Sequence, residues 1–73
     1  MPILARARWA WSKGDRAEAL RLLREIRREG AHSAPALANA ALLCLEMGEA
    51  IQAQAFLNEA ARYQPRYIRD LLE

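Results

Sequence analysis

The side chains of this 73-residue sequence that could do chemistry are one histidine, one cysteine and a run of arginines broken by glutamates. His32 stands beside Ser33, with no second histidine and no cysteine cluster at the spacing a metal site needs. It reads as a loop residue. Cys44 falls in an apolar helical run that wants a small buried side chain, where a thiol is commonly inert, and as the sole cysteine it excludes an internal disulfide. No phosphate-cradling glycine loop, nucleophile elbow or paired-carboxylate constellation is visible. The expectation is a non-enzyme with no catalytic residues, no cofactor and no metal.

The arginines are the best case for an anionic ligand. Arg16, Arg21, Arg24, Arg27 and Arg28 lie in "RAEALRLLREIRREG", but Glu18 and Glu25 dilute them and stand at helical spacing to pair with Arg21 and Arg28. No aromatics interleave with them, so the run reads as a solvated outer face and no nucleic-acid partner is predicted. The net charge of +2 is split: residues 1–32 hold eight basic against four acidic side chains, +4, and residues 33–73 three against five, −2. An electrostatic binder working through the arginines is therefore an alternative, one whose association would fall steeply with added salt.

The rest of the alphabet says what must position these groups. Sixteen Ala, eleven Leu and ten Arg favour helix, and few β-branched residues favour strand, so the fold class is all-α. A chain this short forms one domain that buries only about 60% of its unfolded surface. With neither a leader pattern nor an apolar run near 18 residues, and with a lone cysteine, the expected place is the cytoplasm, or the cytoplasmic part of a membrane-associated assembly, without membrane insertion by these residues.

"KGDRAEALRLL" at 13–23 is echoed by "MGEAIQAQAFL" at 47–57. Sliding the chain on itself by 34 aligns Ala7 with Ala41, Gly14 with Gly48, Ala19 with Ala53, Leu23 with Leu57, Glu25 with Glu59, Arg28 with Arg62 and Leu37 with Leu71. Gly14 and Gly48 each close a helical run where positive φ is wanted. Asp15 can cap the next helix, with Glu18 reaching back to complete a capping box; Glu49 is the poorer cap. Ser33 is a plausible cap and Pro35 fits a first turn. Five helices are predicted, over about residues 3–13, 15–29, 34–47, 49–63 and 66–73. Ile3, Ala7, Ala10, Leu37, Ala41 and Cys44 form the inward stripe, with Leu23, Ile26, Leu57 and Ala60 facing it.

A 34-residue helix-turn-helix unit with these residues resembles the tetratricopeptide repeat. The second unit carries the better match, at Leu37, Ala41, Gly48, Ala53, Leu57, Ala60 and Pro65; the first matches at Ala7, Gly14, Asp15, Ala19 and Leu23 and departs at Arg6 and Ala31. The resemblance implies a right-handed superhelical stack of antiparallel hairpins in one domain, repeat one about 1–33, repeat two about 34–67 and a trailing capping helix about 66–73. Stacked repeats generally need about three units, so a cut from a longer protein, a partner or self-association is expected.

In such stacks the first helices line a concave groove that holds a protein ligand. Carried onto this sequence, that places Leu4, Arg8, Trp11 and Ser12 on one stripe and Ala38, Leu42, Leu45 and Glu46 on another. Leu4, Arg8, Trp11, Ala38, Leu42 and Leu45 are the candidate partner-binding residues, with Arg8 able to meet an acidic group. Trp9 and Trp11 lie about 200° apart around the helix, so one is expected in the core and the other, Trp11, in the contact. The branch that clamps acidic chaperone tails has Lys and Asn where this chain has Leu4 and Arg8, and only Asn39 and Arg69 are suggestive of it. An apolar floor suits a helix or apolar peptide, within a bacterial secretion or exopolysaccharide assembly by resemblance. The alternative is a structural spacer whose groove is filled by its own copies.

Overall fold

The computed structural model describes residues 1–30, 33–63, 66 and 69. Among the described residues there are four helices and no strand: α1 (Ile3–Ser12), α2 (Arg16–Glu29), α3 (Ala34–Glu46) and α4 (Ala50–Tyr63). The helix expected over 66–73 lies outside the described residues except at positions 66 and 69. The chain divides into two compact units, Met1–Ala31 and His32–Glu73. Each is one helical hairpin, α1 on α2 and α3 on α4.

Both hairpins turn by the same device. At the end of α1, the N–H of Gly14 donates to the carbonyl of Trp11 (2.9 Å) and that of Asp15 to the carbonyl of Ala10 (2.9 Å). At the end of α3, Gly48 donates to Leu45 (3.1 Å) and Glu49 to Cys44 (2.8 Å). These paired bonds are a Schellman motif, which satisfies carbonyls a helix end would otherwise leave bare. The motif needs a left-handed residue, and Gly14 and Gly48 have φ of 83° and 79°. Nothing lies within 4 Å of a Cβ added at Gly48, so Gly48→Ala meets no clash and is opposed by backbone strain alone. It should cost about 1–2 kcal/mol in a denaturant titration; an unchanged midpoint would contradict this account of the turn.

The helix starts follow the caps. Ser33 accepts from the N–H of Ala36 (3.3 Å) with Pro35 in the first turn of α3, and Asp15 accepts from the N–H of Glu18 (3.1 Å) at the start of α2. The expected capping box does not close. The Asp15 N–H is already committed to Ala10 by the turn, and the Glu18 carboxylate turns outward to Arg21 instead.

Small residues let the paired backbones approach. Ala7 and Ala10 on α1 and Ala19 on α2 are buried with Leu22, Leu23 and Ile26; in the second hairpin Leu37, Ala41 and Cys44 are buried on α3, and Ala53, Phe56 and Ala60 on α4. Ile3 and Leu57, expected on the inward stripe, are half-buried. Cys44 is core, as its place in the repeat predicts.

Candidate functional site

The six candidate contact residues sort by exposure. On α3, Leu42 and Leu45 are 52% and 54% exposed, one turn apart at i and i+3. They are apolar surface left over on α3, which already buries Leu37, Ala41 and Cys44 on another face. Ala38, placed on the same stripe by the sequence, is only 4% exposed and offers no comparable surface. The buried arc of α3 is wider than the repeat register implied: Ala34, Ala38, Ala40 and Leu43 join it.

On α1 the picture is more mixed. Arg8 is exposed, while Leu4 and Trp11 are half-buried. The Arg16 guanidinium lies 5.9 Å from the centre of the Trp11 ring, within the range of a cation–π contact. The expectation for the two tryptophans is corrected by Trp9. It is not core but 60% exposed, with the Lys13 ammonium 5.3 Å from its ring centre. The physical reason is the turn itself: α2 leaves Gly14 along the face bearing Ala7 and Ala10, and Trp9 points off that face.

The arginine face of α2 is laced by its own glutamates. Arg21 bonds both Glu18 (Nη2 to Oε2, 3.1 Å) and Glu25 (Nη1 to Oε2, 3.2 Å), and Arg28 lies 3.6 Å from Glu25. The pairing predicted from spacing is present, with Arg21 added between the two acids. The hydrogen bonds from Arg21 hold the Glu18 carboxyl below its ordinary value of 4.5, opposed by desolvation and helped by the charges of Arg21 and Arg6. A depressed carboxylate contributes stability that is present above its unfolded value and lost as pH falls through the folded one. Melting temperature followed against pH should therefore fall less steeply on the acid side for Glu18→Gln than for the wild type. Parallel curves would contradict the assignment.

Chemically, the described residues offer contact rather than reaction. They contain no group of three His, Cys, Asp or Glu able to hold a metal ion, and no helix long and apolar enough to cross a membrane. His32 lies outside the described residues. Among the described residues the remaining exposed large apolar side chains are Met1, Ile51 and Tyr63. None of them was legible as a contact candidate from the repeat register, which assigns no ligand to those positions.

With two hairpins, twin Schellman turns and a 34-residue period established, comparison with known families is decisive. The sequence pattern of the tetratricopeptide repeat matches residues 10–73. The chain belongs to the tetratricopeptide repeat family. Members generally mediate protein–protein interaction and are typically non-catalytic, so protein partners are the class of ligand the family implies. Of the candidate residues, Trp11, Ala38, Leu42 and Leu45 fall inside the matched range, whereas Leu4 and Arg8 precede it. Comparison with curated proteins and with solved structures found no match.

Proposed function

We propose that this tetratricopeptide repeat chain is a non-catalytic adaptor that holds a helical or apolar segment of a protein partner. The observation that carries the reading is the pair of exposed leucines, Leu42 and Leu45, on a helix whose other face is already buried. Leucines one turn apart match the i, i+3, i+4 anchors by which an amphipathic helix is recognised. On the first hairpin, taken by itself, Leu4 and Trp11 are half-buried and Arg8 is exposed on α1. Ala38 contributes little side-chain area to such a contact. A bacterial secretion or exopolysaccharide assembly, in the cytoplasm or on its membrane-associated side, is the setting we favour for it.

The test uses two baits in parallel, the wild-type chain and Leu42→Asp, each immobilised and offered extract of the native host. A partner retained by the wild type and absent from the variant supports the reading. A partner retained equally by both removes Leu42 from the account.

A further inference from the structure

We draw no further inference here: the strongest candidate, the open cleft around exposed Trp9 between α1 and α2, sets Arg6 and Lys13 beside Asp15 and Glu18, and nothing in the structure shows what covers it.

Discussion

Phe56→Ala is expected to lower the melting temperature of the chain by roughly 12–40 °C. Phe56 is the largest fully buried side chain, on the face of α4 that also buries Ala53 and Ala60. Truncating a buried phenylalanine costs about 3–5 kcal/mol, partly lost transfer energy and partly the cavity left behind. Alanines surround the site in sequence on α4, and they cannot extend to refill it. Against a total stability of roughly 4–11 kcal/mol for 73 residues, that loss is large. Helix content followed by circular dichroism on heating gives the shift directly; a variant that melts within a few degrees of the wild type would place Phe56 outside the core.

Leu42→Asp is expected to do the reverse, sparing the fold and removing function. Leu42 is half exposed, so its replacement should cost only about 1–2 kcal/mol of stability, from half its apolar burial and the poorer helix propensity of Asp. In a complex, the same change deletes an apolar anchor and leaves a carboxylate to be desolvated without a partner. The two effects together should weaken partner binding by at least about 100-fold, or about 2.7 kcal/mol. Calorimetry with the recovered partner, alongside melting curves of both proteins, separates the outcomes. Weak binding with a melt lowered no further than that cost supports a contact role, and loss of both would make Leu42 a structural residue.

The helices were readable because their ends are written in local chemistry. Gly14, Gly48, Asp15 and Ser33 act within a few residues of themselves, and the four helices begin and end within a residue of the positions they predict. The fully buried Phe56 and Leu22 escaped notice for an instructive reason. They occupy the same place in the two repeats, but as different residues, and matching by identity passes over them in favour of Leu23 and Leu57. Matching by apolar character at spacing 53, 56, 60 would have found Phe56.

The candidate surface was legible only in part. Leu42 and Leu45 are exposed, as a stripe separate from the inward one implies. Trp9 is exposed where the core was expected, and Ala38 is buried, because angular position on one helix does not say how wide an arc its surroundings cover. Comparison of Trp9 with buried Leu43, and of Arg6 with buried Ala40, carries that information across the repeat. The capping box failed for a related reason: Glu18 had two suitors, and Arg21 offered a charged, two-point contact that a backbone N–H already spoken for could not match.

The measurement that bears most directly on the adaptor reading is amide hydrogen exchange of the chain with and without its recovered partner. Added protection should concentrate in α1 and α3, strongest around Leu42 and Leu45. Protection gained on the arginine face of α2 instead, with α3 unchanged, would contradict the account.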